Sequence, residues 1–150
     1  MNAHELIDGY SAVIRAYGRW PRFHDGYVRQ FAIRPSGVDG ETGIDLLVHG
    51  FDMTSETDER GYYKCRNHHL IHFRFEGTSQ LDFEDLDTPD AIVGSLEFEA
   101  LHADSRSTPS ISVVLESSYG MSGTFRCQSA KVLSVKPCDS KGIVSDSLKD

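Results

Sequence analysis

The sequence predicts an α+β domain that is mainly β, with one N-terminal helix and an antiparallel sheet of about seven strands forming a sandwich or partial barrel. Two observations support this prediction. One stretch of helical periodicity stands at the N-terminus, and from residue 27 onward short runs of alternating apolar and polar residues follow one another between turn residues. Strands do not alternate with helices, so a parallel, doubly wound sheet is not expected.

The predicted helix begins near Asn2 and ends at Gly18. Asn2 can cap its start, with Glu5 three residues later in capping-box position. Gly18 supplies a C-terminal stop, and Pro21 prevents the helix from continuing. One apolar stripe at helical spacing is formed by Leu6, Tyr10, Val13, Ile14 and Tyr17.

The predicted strands lie between turn signals such as Pro35-Ser36-Gly37. Thr88-Pro89 is typical of a helix start, with room for about one turn before Gly94. Strands are predicted at residues 27–34, 44–51, 69–75, 80–83, 95–101 and 111–116, and residues 123–135 form a long strand or a strand with a bulge. A single β-rich domain therefore covers residues 1–137, followed by a polar, flexible tail at residues 138–150.

Charge and cysteine content narrow the functional classes. The net charge of −8, from 23 acidic and 15 basic residues, disfavours nucleic acid as a partner because phosphate repels such a surface. It permits a basic protein partner. No apolar run suffices to cross a bilayer and no secretory signal is recognisable, so we expect no membrane association. The sparse cysteines Cys65, Cys127 and Cys138 fit neither a disulfide framework nor a zinc site, which favours a reducing cytoplasm.

The segment Trp20–Gly26 contains the first candidate for chemistry. His24 could act as a base or metal ligand with Asp25 as its partner. Adjacent residues of an extended chain point to opposite faces, however, so we do not expect these two side chains to orient each other. Turn chemistry between the helix and the first strand explains the same residues, and this structural interpretation is favoured.

Four further histidines are the second candidate. His68 and His72 share one face of a predicted strand, and His69 faces the other way. A metal site would need a third ligand from elsewhere, such as His49 or Asp45. The spacings of known zinc and nucleophile motifs are absent, so we predict no catalytic residue, no metal and no cofactor. A small metal-binding or metal-dependent enzyme domain, built on His24, Asp25 and the region of His68 and His72, is kept as an alternative.

Acidic residues crowd two predicted loops, around residues 52–59 and 82–90. The two loops can simply be solvated, with their like charges repelling each other. Alternatively, they together create a negative field that steers a basic partner to this domain. Glu97 and Glu99, on the polar face of a predicted strand, are explained by solvent exposure. The predicted partner-binding residues are Asp52, Glu56, Asp58, Glu59, Tyr62, Tyr63, Asp82, Glu84, Asp85 and Asp87, with the two tyrosines as the aromatic anchor.

Several short motifs together point to a family. They are Trp20-Pro21-x-Phe23-His24-Asp25, Phe51-Asp52-Met53-Thr54, Gly61-Tyr62-Tyr63-Lys64, His69 to Gly77, Tyr119-Gly120 and Phe125-Arg126-Cys127. In order and spacing they resemble the bacterial immunity protein family numbered fifty among the polymorphic toxin systems, over roughly residues 15–137. Residues 87–90 depart from that pattern, which has a more Asn-rich stretch there.

The resemblance implies a cytoplasmic antitoxin that binds and neutralises a cognate toxin domain by occlusion. It transfers no catalytic residue. Trp20, Phe23, His24 and Asp25 match the family signature, with no role assigned to them. A β-rich module that binds a small ligand is the remaining alternative, and a large apolar cavity inside the fold would favour it.

Overall fold

The computed structural model describes residues 3–36, 40–101 and 110–144. These residues form a 3₁₀ turn at Ala3–Leu6, one α-helix and seven strands. The helix is α1 (Tyr10–Tyr17), and the strands are β1 (Tyr27–Pro35), β2 (Thr42–Thr57), β3 (Tyr63–Glu84), β4 (Ile92–Leu101), β5 (Ser110–Tyr119), β6 (Ser122–Cys127) and β7 (Ser129–Pro137). The predicted fold class, mainly β with one N-terminal helix and about seven antiparallel strands, is confirmed.

The sheet closes into a barrel because β2 pairs with β3 as well as with β1. Around the barrel the order is β2, β1, β4, β5, β6 and β3, and every pairing between these strands is antiparallel. On one side β3 pairs with two strands in succession: residues 69–76 pair with β7 and residues 79–84 with β6. Gly77, with φ 64°, lies between these two segments, and Gln80, with φ 53°, lies at the register shift within the second.

Alternation along the strands fills the barrel interior with apolar side chains. Ile44, Leu46 and Val48 of β2 lie in register with Phe75, Phe73 and Ile71 of β3. All six are at most 2% exposed. The opposite wall of the core is formed by Val93, Leu96, Ile111, Val113, Leu115, Phe125 and Cys127. The side chains of the two walls meet in the interior of the barrel and form its core.

The N-terminal helix is shorter than predicted. Gly9, with φ 82°, adopts the left-handed conformation and separates the 3₁₀ turn from α1. Val13 and Tyr17 are buried on the inner face of α1, and Gly18 ends the helix by donating its N–H to the carbonyl oxygen of Ile14. The predicted cap Asn2 lies outside the described residues. No helix in the described ranges is long and apolar enough to span a membrane.

Three predicted elements differ from the structure. The predicted strands at 69–75 and 80–83 belong to one strand, β3. No helical turn follows Thr88: residues 85–91 form a turn and bends, because Asp85 and Asp90 have positive φ values of 56° and 54° that a right-handed helix does not permit. The long predicted strand at 123–135 is divided into β6 and β7 at Gln128, whose N–H bonds to the carbonyl oxygen of Glu76.

The first part of the predicted tail forms a turn over the outer face of β3. The N–H of Cys138 bonds to the carbonyl oxygen of His68 at 3.0 Å. The carboxylate of Asp139 accepts hydrogen bonds from the backbone N–H groups of Lys141 and Ile143, both at 2.9 Å. Residues 138–144 are therefore packed against the barrel rather than loose, and residues 145–150 lie outside the described residues.

Candidate functional site

The segment Trp20–Gly26 is the joint at which the barrel closes between β1 and β4. Asp25 donates its N–H to the carbonyl oxygen of Val93 at 2.9 Å, and Val93 donates to Gly26 at 2.8 Å. Phe23 is 4% exposed and packs edge-on against Trp20 and Phe73, with ring centroids 5.9 Å apart in both pairs. These contacts give Trp20, Phe23 and the backbone of Asp25 a structural role.

His24 and Asp25 do contact each other, contrary to the prediction. His24 Nδ1 lies 3.2 Å from Asp25 Oδ2, and both side chains are exposed. The prediction assumed an extended chain, whereas Phe23 and Asp25 have φ values of 60° and 66°, so the backbone turns and brings the two side chains together. Within the described part of the chain, this pair belongs to no group of three or more His, Cys, Asp or Glu side chains that could hold a metal ion.

His49 is fully buried on the outer face of β2, beneath the turn at residues 138–144. Arg29 Nη2 lies 2.8 Å from His49 Nδ1, and His49 Nε2 lies 2.9 Å from His68 Nδ1. A guanidinium only donates, so Nδ1 accepts and the ring proton resides on Nε2, which donates to His68. Burial, together with the positive charge of Arg29, lowers the pKa of His49 from 6.5 to about 4. His49 is therefore a neutral link in a polar chain.

The remaining histidines belong to separate environments. His72 Nε2 lies 3.5 Å from Asp45 Oδ2. His69 packs edge-on against Tyr17, with ring centroids 5.2 Å apart. Across the described ranges no three His, Cys, Asp or Glu side chains converge with the geometry of a metal site. The histidines that share a strand face in the sequence are thus divided between two clusters.

Asp45 is the centre of an ion-pair network on the outer face of β1, β2 and β3. It accepts two hydrogen bonds from Arg74, at 2.9 and 3.0 Å, and one from Arg34 at 3.2 Å. Arg34 also pairs with Glu76. The hydrogen bond from Arg74 and the neighbouring guanidinium of Arg34 lower the pKa of Asp45 to about 2. Acidic and basic groups neutralise each other on this face.

Asp45→Asn is expected to lower the free energy of unfolding by about 2 kcal/mol or more, because the two guanidinium groups lose their shared anionic acceptor. Urea unfolding at neutral pH measures the loss. Asp82→Asn is the matched control, since Asp82 is exposed and has no ion-pair partner among the described residues; its effect should stay within about 0.5 kcal/mol. Equal effects of the two substitutions would contradict a stabilising role for the network.

Residues 52–66 form a two-stranded hairpin arm. The pairing of β2 with β1 ends at His49, and the pairing of β3 with β7 ends at His69. Beyond these points β2 and β3 pair with each other, through Asp52 with Arg66 and Met53 with Cys65. Most of the arm is exposed, including three large apolar or aromatic side chains: Tyr62 at 68%, Tyr63 at 58% and Met53 at 49%.

The acidic residues of the arm divide into two kinds. Asp58 accepts hydrogen bonds from the backbone N–H groups of Arg60 and Tyr62, at 2.8 and 3.0 Å, and so holds the turn at the tip. Asp52 accepts a hydrogen bond from Asn67 at the root of the arm. Glu56 and Glu59 are exposed and make no ion pair with a described residue. Of the four acidic residues predicted here, these two are free to contact a partner.

The second acidic group lies at the other end of β3. Asp82 and Glu84 are on the final residues of that strand, and Asp85 and Asp87 are in the turn that follows. Tyr63 and Glu84 mark the two ends of this 22-residue strand. The two predicted acidic loops therefore do not merge into one surface. Met53 is exposed on the arm but was not predicted as a binding residue. Its position in the chain next to Asp52 and near Glu56 could have indicated it.

No family model, curated protein or solved structure matches this chain.

Proposed function

We propose that the chain is an immunity protein that binds a cognate basic toxin domain in the bacterial cytoplasm and neutralises it by occlusion. The observation that supports this proposal best is the hairpin arm, which presents Tyr62, Tyr63 and Met53 to solvent beside Glu56 and Glu59. Exposed apolar patches mark protein-interaction surfaces, and these three exposed side chains lie on one short hairpin. The resemblance to the immunity family and the net charge of −8 support the choice of partner.

The arm is suited to recognition because its tip is held in shape before binding. Asp58 fixes the turn by accepting hydrogen bonds from two backbone N–H groups. Less conformational entropy is therefore lost when a partner binds. Tyrosine anchors contribute large contact areas with few rotatable bonds. Glu56 and Glu59 add the negative potential that accelerates encounter with a basic partner.

Co-expression tests the function. If a toxin-domain reading frame lies immediately upstream, its product alone should arrest growth of a host, and co-expression of this chain should restore growth. The two products should co-purify as a stable complex. Growth arrest that this chain leaves unchanged, with no complex formed, would overturn the proposal.

Tyr62→Ala and Tyr63→Ala are each expected to weaken toxin binding by about 2 kcal/mol or more, as is typical of aromatic hot spots. Isothermal titration with the purified toxin domain measures the change. The thermal stability of the free chain should hardly change, because both rings are exposed. Tyr119→Ala is the control, since Tyr119 is 56% exposed but lies at the end of β5; an equal loss there would contradict the arm as the interface.

A further inference from the structure

The outer face of β4, β5, β6 and the end of β3 collects acidic residues from distant parts of the chain. Glu97 pairs with Val114, Val114 with Thr124, and Thr124 with Asp82, so one row of side chains crosses four strands. The neighbouring rows add further carboxylates and one cation, Arg126, which shares a row with Glu99 and Ser112. We define the acidic sheet face as Asp82, Glu84, Glu97, Glu99 and Glu116, all of which are exposed.

These five carboxylates are not neutralised within the described part of the chain. None of them makes an ion pair with a described residue, and Glu116 receives only a hydrogen bond from Ser95 at 3.4 Å. The opposite outer face differs, because there Asp45 and Glu76 are paired with two arginines. None of the five is the direct cross-strand partner of another, so together they give this face a negative potential that attracts a cationic partner.

Two depressions open onto the acidic sheet face on either side of Val114. The first has a volume of about 270 Å³; Gly123 and Thr124 form part of its wall, together with Asp82, Glu84 and Glu116. The second has a volume of about 400 Å³ and is lined by Trp20, Phe98, Glu97 and Glu99, among others. Each depression therefore combines space for a side chain with at least two carboxylates.

The second depression has the composition that suits a guanidinium group. An arginine side chain packs its plane against an aromatic ring while its N–H groups bind carboxylates. Trp20 is held in position by His4, which stacks on it at 4.9 Å and 4°, and by the edge of Phe98 at 6.1 Å. Glu97 and Glu99 provide the carboxylates at the same depression.

We propose that the acidic sheet face binds a basic segment of a partner protein, with one arginine seated beside Trp20 and a second cationic side chain in the depression beside Asp82. The site is separate from the hairpin arm. This proposal extends the proposed function and rests on it in one respect only, namely that the basic segment belongs to the toxin. Within the described residues the carboxylates do not converge as metal ligands do, and nucleic acid would be repelled by this face.

The spacing of the two depressions defines a probe. Glu97 and Asp82 are three interstrand steps apart, which is about 14 Å. In an extended peptide, side chains four residues apart are separated by about 13 Å. The probe is therefore a short synthetic peptide with two arginines four residues apart among neutral residues, and its control has citrulline at both positions, which removes the charge and preserves the shape.

Trp20 reports binding directly because it is the only tryptophan in the chain. The arginine peptide should change the Trp20 fluorescence in a saturable manner, and the citrulline peptide should not. Glu97→Gln combined with Glu99→Gln should weaken binding by up to about tenfold, because two exposed charge pairs are lost while the Trp20 ring remains. Glu56→Gln combined with Glu59→Gln makes the same charge change on the hairpin arm and should alter binding by less than about twofold.

Three results would overturn the proposal: no saturable response to the arginine peptide, an equal response to the citrulline peptide, or equal losses in the two double variants, which would indicate non-specific attraction to the net charge. The test needs no toxin. If the chain binds the peptide at Trp20 but does not protect cells, the site is supported and the immunity function is contradicted. If the chain protects cells but does not bind the peptide, only the site is contradicted.

Discussion

Gly26→Ala is expected to destabilise the barrel by at least about 3 kcal/mol, in the upper range for an overpacked position. A Cβ atom on Gly26 would lie 2.6 Å from the carbonyl oxygen of His49 and 3.0 Å from that of Phe23. Both contacts are with backbone, so relief requires a strand to move. Gly26 also accepts the hydrogen bond from Val93 that closes the barrel, and such movement would weaken it.

Urea unfolding of the two proteins measures this effect. Gly43→Ala is the matched control, because it also places alanine in or beside a strand without a positive φ. The atoms that its Cβ would approach, at 3.0 Å, are the ends of the Arg34 and Glu76 side chains, which can move without a shift of the backbone but belong to the ion-pair network around Asp45. We therefore expect that substitution to cost at most about 2 kcal/mol, less than Gly26→Ala. Equal losses at the two positions would show that the closing joint is not a constrained point of the fold.

Lowering the pH from 6.5 to 4 is expected to reduce the free energy of unfolding by about 3 kcal/mol through the protonation equilibrium of His49 alone. The pKa of His49 is about 4 in the folded chain against an ordinary value of 6.5. In this range the unfolded chain therefore binds a proton that the folded chain excludes, so each added proton favours unfolding. Protonation would also give Nδ1 a hydrogen directed at Arg29, a donor facing a donor at 2.8 Å.

The pH dependence of the urea midpoint measures this contribution, with His49→Gln as the comparison. Glutamine can accept from Arg29 and donate to His68 but does not titrate, so its stability should change less between pH 6.5 and pH 4. Asp45 acts in a lower range: its pKa is about 2 in the folded chain against 3.8, so its contribution is present above pH 3.8 and is lost as the pH falls through 2. Parallel curves for wild type and His49→Gln would contradict the role of His49.

The sequence predicted the strands well where alternation was unbroken, as in β5, and less well where a single residue changed the backbone direction. Gly9 divides the predicted helix, and Asp85 and Asp90 replace a predicted helical turn with bends, because their left-handed conformations interrupt right-handed helical geometry. Such conformations are permitted to Gly, Asn and Asp but are not required by them. Local composition therefore left these positions undecided.

The candidate site was only partly predictable for a different reason. Tyr62, Tyr63, Glu56 and Glu59 are close in the chain, so their grouping could be predicted from the sequence, although the prediction was a loop at residues 52–59 and the structure extends β2 through Thr57. Glu97 could not be grouped with Asp82, because β5 and β6 lie between them in the sheet and neither strand follows from residue spacing. Period-two alternation assigns a residue to a face but does not identify the neighbouring strand.

The class of fold, the acidity of the chain and the nearness of two tyrosines to an acidic segment could be predicted from the sequence, because helical and strand periods, charge and spacing along the chain are local properties. The pairing of distant strands was needed to show that residues 52–66 form a hairpin arm, that the segment Trp20–Gly26 closes the barrel, that His49 is buried and neutral, and that five carboxylates share one sheet face. These outcomes depend on which distant strands pair, and that pairing is selected by burial of the whole core rather than by any single segment.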